Sequence, residues 1–234
     1  MDFSGKIDRF MVTLIDKGAY TKVLAGLRNT VTIAVVGLLI GIMIGTLIAI
    51  IRVVPKNNPV VRVLDKLATV YVAFFRGTPI MVQLLLGYYI LFPLLNIKLS
   101  SLVVCVLIFG FNSGAYVSEI MRSGIQSVDP GQMEAGRALG FGYGRTMMKI
   151  VVPQAVKNIL PTLGNEFISL IKETSVVNFV GAMDLYNAFS YIGSSNYEFM
   201  VPYLAMALIY IVMVLLITGL IKLMEKRLRA SDKR

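Results

Sequence analysis

The sequence predicts an all-α integral membrane protein with five transmembrane helices, and three observations carry that prediction. Of 234 residues, 56% are hydrophobic and only 15% are charged, where soluble domains carry about a quarter charged. The mean hydropathy is +0.75, with the apolar residues in long blocks rather than at amphipathic spacing. The basic residues sit in the short segments between blocks, so the net charge of +10 reads as membrane topology and excludes a nucleic-acid-binding domain. A single cysteine excludes a disulfide framework within the chain. The absence of histidine removes the usual general base and the commonest metal ligand.

Residues 1–26 precede the first block. Phe3, Ile7, Phe10, Met11, Leu14 and Ile15 recur at helical spacing opposite Lys6, Arg9, Asp2, Asp8 and Asp16, ending near Gly18. That pattern suits an amphipathic helix lying in the membrane interface, with a frayed polar leader as the alternative. A helix needs roughly 20 apolar residues to cross the hydrocarbon core, and Val31 to Ile51 supplies the first span. Within it Gly37, Gly41, Gly45 and Ala49 fall four apart, a small-residue stripe that lets helix backbones approach closely. The stripe suits a dimer seam or packing within one subunit.

The second span, Leu67 to Leu95, is interrupted at Arg76-Gly77-Thr78-Pro79, and Arg76 is positioned to satisfy the backbone carbonyls freed there. Leu99 to Ser118 is the third span, with Cys105 as a small apolar packer. Lys157 to Val180 is the fourth, although it contains Glu166, Lys172 and Glu173. Phe199 to Ile221 is the fifth. The five-span region covers 27–225, and 226–234 is a basic tail.

Lysine and arginine crowd the segments 52–66 and 121–157 and the tail, while 181–198 has none. The positive-inside rule then puts the carboxyl terminus in the cytoplasm and, with five spans, the amino terminus outside. Lys6, Arg9, Lys17, Lys22 and Arg28 run against this assignment, which an interfacial helix reconciles.

The loop 121–157 is patterned. Asp129 is a helix N-cap, Pro130 takes the first helical position, Gln132 reaches back, and Gly140 is a natural stop. A short helix on the cytoplasmic face follows. The run Glu134-Ala135-Gly136, three residues, Gly140, nine residues, Ile150, one residue, Val152-Pro153 resembles the EAA loop of ABC importer permeases. Gly136 replaces the third alanine of that pattern and Val152 its leucine, and Gly136 weakens the helix by about 1 kcal/mol. Phe75-Arg76-Gly77-Thr78-Pro79 with Gln83, Asn112-Ser113-Gly114-Ala115-Tyr116 with Glu119, and Leu163-Gly164-Asn165-Glu166-Phe167 resemble the polar amino-acid branch (histidine, glutamine, arginine and opine importers).

The resemblance implies a type I ABC importer permease in the cell (inner) membrane, forming the translocation path. Glu134, Ala135, Arg137 and Gly140, with Gly136, Arg145, Ile150 and Pro153, would couple it to a cytoplasmic ABC ATPase that holds ATP and Mg. An extracytoplasmic amino-acid-binding protein and a second permease subunit, identical or homologous, would complete the system. The chain carries no Gly-x4-Gly-Lys-Ser/Thr phosphate loop, so it is expected to bind no cofactor and not to be an enzyme.

In the fourth span Thr162, Glu166, Ser169 and Glu173 share one helix face, flanked by Asn165 and Lys172. Counting ~1.5 Å per residue from Lys157 puts Glu166 on the order of 13 Å inside. An ionised residue facing lipid there costs at least about 2.5 kcal/mol, so the stripe should face a wet cavity or a partner. Thr162, Asn165, Glu166, Ser169, Glu173, Arg76 and Glu119 form the candidate substrate path. Their structural alternatives are Lys172–Glu173 or Arg76–Glu166 pairs, and pairing of Glu119 with Arg122. The competing function is a secondary, ion-coupled amino-acid carrier in which Glu166 and Glu119 relay protons.

Overall fold

A computed structural model of the chain describes residues 3–230, and no strand occurs among them. Asp2 and the end of the basic tail, Lys233 and Arg234 included, lie outside the described residues. Among the described residues the main helices are α1 (Phe3–Met11), α2 (Tyr20–Val53), α3 (Pro59–Gly77), α4 (Ile80–Leu94), α5 (Ser101–Gln126), α6 (Pro130–Ala138), α7 (Val152–Glu173), α8 (Leu185–Asn196) and α9 (Met200–Ala230). Helices α2, α5 and α9 are each long and apolar enough to cross a membrane.

The α2 glycine stripe packs within the subunit. A Cβ on Gly37 would sit 3.2 Å from that of Phe109, one on Gly41 2.6 Å from Ser113 Oγ, and one on Gly45 2.7 Å from Val117 Cβ. The groove works in both directions, because Gly110 and Gly114 of α5 receive Ile40 and Ile44 of α2. Lipid offers two helices no hydrophobic reason to associate, so this close approach supplies the dispersion contact that holds them. Cys105, Phe109, Ile33 and Ala34 are fully buried along the same seam.

The second predicted span starts eight residues earlier than its hydropathy suggested. Asn58 caps α3 by accepting from the Val60 N–H at 2.8 Å, with Pro59 in the first turn. Thr78 and Pro79 are extended, and α3 and α4 meet there at 107°. The α4 leg then runs beside the first half of α5, with Gln83 at Asn112 and Gly87 against Ile108. The third span continues past Ser118 to Gln126, which brings Glu119 and Arg122 inside a helix. The fourth differs at both ends. Helix α7 starts at Val152, and its α-helical winding stops at Glu173, beyond which 174–180 tighten into a 3₁₀ turn ended by Gly181 at φ 69°.

Helix α1 lies at one end of the bundle and α6 at the other. Lys6 Nζ of α1 bonds Oε1 of Glu198, just before α9, at 3.0 Å, and Asn196 at the end of α8 donates to Thr13 Oγ1, just after α1. Tyr143, just after α6, donates instead to the carbonyl of Val53 at the far end of α2, a helix about 50 Å long at ~1.5 Å per residue. The α1 end has its own small core of Ala19, Leu185, Phe189 and Ile192, onto which Phe10 and Leu14 pack.

Candidate functional site

The three motifs that are far apart in sequence meet at the middle of α5. Ser113 donates to Glu166 Oε1 at 3.0 Å, so the carboxylate of α7 sits where α2, α5 and α7 come together beside Gly41. One residue away, Asn112 Nδ2 donates to Gln83 Oε1 at 2.9 Å and to the carbonyl of Phe75 at 3.3 Å. Gln83 Nε2 in turn donates to the carbonyls of Phe75 and Thr78 at 2.8 and 3.0 Å. These are the carbonyls freed by the α3–α4 break, and an unpaired buried carbonyl would cost about 1–3 kcal/mol. The amide pair satisfies them, and Arg76 does not.

Arg76 instead approaches Glu119, with Nη1 4.0 Å from Oε2 and the guanidinium 5.4 Å from the ring centre of Tyr116. Neither the Arg76–Glu166 pair nor a lone Glu119–Arg122 pair describes the arrangement. Glu119 is shared by three arginines: Arg122 binds Oε2 through Nε and Nη2 at 3.1 and 2.7 Å, and Arg52 from the end of α2 holds Oε1. Such two-pronged bonds fix orientation as well as charge. Glu119 therefore sits in an ion cluster on a different helix from the α7 stripe.

On α7, Ile168, Leu170 and Ile171 are buried and Gly164 packs on Ile221, so that side faces the subunit's own core. Thr162, Asn165, Lys172 and Glu173 are exposed, while Glu166 and Ser169 are partly covered. A polar face with both signs of charge thus looks outward from a bundle whose other outward surfaces, such as Leu208, Leu215 and Leu220 of α9, are aliphatic. Held against lipid it would cost at least about 2.5 kcal/mol per ionised group. A water-filled path or a second chain removes that cost.

At the α6 end the local grammar of the sequence is realised almost completely. Asp129 accepts from the Gly131 N–H at 2.8 Å. Gly140, at φ 84°, donates to the carbonyl of Arg137 while Phe141 donates to that of Gly136, the paired closure of a left-handed helix end. Gln132 departs from expectation, because its side chain accepts from Gln154 at 3.2 Å instead of reaching back to the cap. Gly136 is buried, and a Cβ there would stand 2.4 Å from Thr146 Cγ2 and 3.2 Å from Ile150 Cδ1. The glycine at this position is what lets α6 close onto the turn at 143–146. Glu134, Ala135 and Arg137 are exposed, and the guanidinium of Arg145 lies 5.9 Å over the Phe141 ring. Pro153 falls where a π-helical turn, 147–151, passes into α7. Leu139 and Met148, 76% and 67% exposed, stand out beside this patch, although a sequence reading had no reason to single them out.

Comparison with known proteins bears on the whole arrangement. Residues 37–230 match the family of binding-protein-dependent transport system inner membrane components. The chain is 39% identical over 206 residues to the putative glutamine transport system permease protein GlnP of Rickettsia prowazekii, covering 88% of this chain and 92% of that one. It is 37% identical over 210 residues to the arginine transport system permease protein ArtQ of Bacillus subtilis, covering 90% and 94%. Among solved structures, an amino acid ABC transporter superposes with a TM-score of 0.83 at 37% identity, covering 91% of this chain and 97% of that one. The MetNI methionine ABC transporter in an inward-facing form shares the fold, with a TM-score of 0.71 at 16% identity over 88% and 95% of the two chains. On its sequence and on its type I importer fold, the chain belongs to the binding-protein-dependent transport system inner membrane components, the permease subunits of ABC importers.

Proposed function

We propose that the outward polar face of α7 is the substrate path of an ATP-driven amino-acid importer, and that α6 is its coupling helix to a separate ATPase. The permease role in amino-acid import rests on the family match and on relatives of 37–39% identity. The observation that carries the path assignment is the position of Glu166, bonded to Ser113 at mid-helix on the face that carries Thr162, Asn165, Lys172 and Glu173. The relatives are named for glutamine, arginine and L-cystine, which share an ammonium and a carboxylate but not a side chain. A stripe carrying both signs suits that common part, and it supports the polar amino acids as a class.

A polar face open on one side needs a second permease subunit to close the path about a two-fold axis. An ATPase pair holding ATP and Mg would seat on Glu134, Ala135 and Arg137, with exposed Leu139 and Met148 as apolar anchors. An amino-acid-binding protein would deliver substrate at the α1 and α8 end. Closure of the ATPases would move α6 and expose the path alternately to the two sides. In this reading the α6 end is cytoplasmic in the inner membrane, and the basic α1 end is outside, with Lys6 neutralised by Glu198.

Two measurements test the proposal. In liposomes holding the permease, its ATPase and the binding protein, Glu166→Gln is expected to lower ATP-driven uptake at least about tenfold while the complex still assembles. Wild-type uptake in that variant removes Glu166 from the path, and concentrative uptake by the chain without an ATPase would establish the ion-coupled carrier instead. For orientation, Tyr197→Cys should react with a membrane-impermeant maleimide in whole cells and Leu139→Cys only after lysis, and the reverse pattern inverts the topology.

A further inference from the structure

We infer that Glu119 is a positioning residue, transmitting displacement of α6 to the break between α3 and α4; this rests on the reading of α6 as the coupling helix. Glu119 stands on α5, which ends at Gln126 and passes through only three residues into α6 at Pro130. A push on α6 therefore reaches Glu119 along one stiff helix. Across the bundle, Arg76 is the last charged residue before the two extended residues Thr78 and Pro79. A Cβ on the intervening Gly77 would meet nothing within 4 Å, so no packing opposes rotation there.

The bonds of the cluster are unequal. Arg122 is joined to Glu119 at 2.7 Å and Arg52 closes on the other oxygen, but Arg76 stands off at 4.0 Å, beyond hydrogen-bond length. Its second neighbour is the face of Tyr116, one helical turn earlier on α5 and within the range of cation–π attraction. Arg76 thus has two partners a turn apart on the same helix, one aromatic and one anionic. Because Arg52 and the glycine seam bind α2 to α5, moving the α2–α5 unit past α3 by a fraction of a turn exchanges them while Arg52 and Arg122 keep hold of Glu119. Because the α4 leg beyond the break carries Gln83 to Asn112, beside the Ser113–Glu166 contact, that exchange reaches the proposed path. Glu119 acts on it through Arg76 and does not line it.

The quantity to measure is amino acid imported per ATP hydrolysed, with glutamine and arginine as probes, in liposomes holding the full complex. Glu119→Gln should keep the ATPase subunit bound but lower that ratio by about fivefold or more, the range of an allosteric coupling between sites. Arg76→Gln should lower it in the same direction. The double variant should be no worse than Glu119→Gln alone, since two residues on one route are not additive. An unchanged ratio, with uptake reduced only in proportion to the amount of complex, overturns the inference, as does an additive double variant. If Glu119→Gln does not accumulate, Arg76→Gln decides alone, because it leaves the bonds to Arg52 and Arg122 in place. An attached ATPase with an unchanged ratio refutes only this inference. Retention of the ATPase by Glu134→Ala/Arg137→Ala would refute the reading of α6 itself.

Discussion

The α2–α5 seam and the junction of α4, α5 and α7 lie side by side in one molecule and are built on opposite principles. The seam is interlocked, with Gly110 and Gly114 of α5 receiving isoleucines of α2 and the α2 glycines receiving Phe109, Ser113 and Val117 of α5. The junction is a set of directed polar contacts around a helix break: Gln83 on two carbonyls, Asn112 on Gln83, and Ser113 on Glu166. Close packing resists any relative movement, because every atom displaced meets another. A hydrogen-bonded junction can exchange partners at little cost. The division assigns the seam to scaffold and the broken arm to movement, even though Gly41 and Glu166 both lie against the same serine.

The contrast can be broken most severely at the seam. Gly45→Leu would put a Cβ 2.7 Å from Val117 Cβ and 2.8 Å from the Ser118 nitrogen, where overpacking costs about 3 kcal/mol or more. Fluorescence-detected size exclusion in detergent should show little or no monodisperse protein. Gly219→Leu on α9, where a Cβ meets nothing within 4 Å, should give a wild-type profile. Equal behaviour of the two would mean that the seam is not the rigid element.

A smaller effect is expected at the break. Gln83→Leu leaves the Thr78 carbonyl without its donor and takes the acceptor from Asn112, for a loss of about 1–3 kcal/mol. Thermal unfolding should move down while the protein still elutes as one species.

The least effect belongs to the Lys6–Glu198 pair. Burial alone would raise the Glu198 carboxyl, but Lys6 and the N–H groups of Val201 and Met200 outweigh it and hold the group below the ordinary carboxylate range. A depressed acid stabilises the fold above its unfolded value and loses that contribution as pH falls through the folded one. Protection of Thr13 and its neighbours from hydrogen exchange should therefore be constant at neutral pH and decline below about pH 4. Lys6→Met should flatten the decline.

How much of this was legible in the chain depends on distance along it. The Asp129 cap and the Gly140 stop were readable because cap and capped group lie within a few residues. The glycine stripe of α2 was readable as a close-packing surface, but its partner on α5 was not, since spacing in one helix says nothing of which helix meets it. Hydropathy placed the start of α3 at Leu67, although Asn58-Pro59 spelled a helix start eight residues before. The Gln83–Asn112 clamp, 29 residues apart in sequence, had no local signal, so its work was given to Arg76, the nearest donor. Gln132 failed the same way, because its partner Gln154 sits 22 positions on. The sharing of Glu119 among three arginines could be seen only once Arg52, Arg76 and Arg122 were brought to one place.

The small core around Phe10 and Leu14 has a consequence for biogenesis. Its other half, from Leu185 to Met213, is synthesised more than 150 residues after them, so these side chains are among the last to find their partners. Until α8 and α9 are in place, those side chains lack the partners that cover them. A nascent chain halted before Leu185 keeps apolar side chains unpaired, the kind of surface that makes an unfinished protein prone to aggregate.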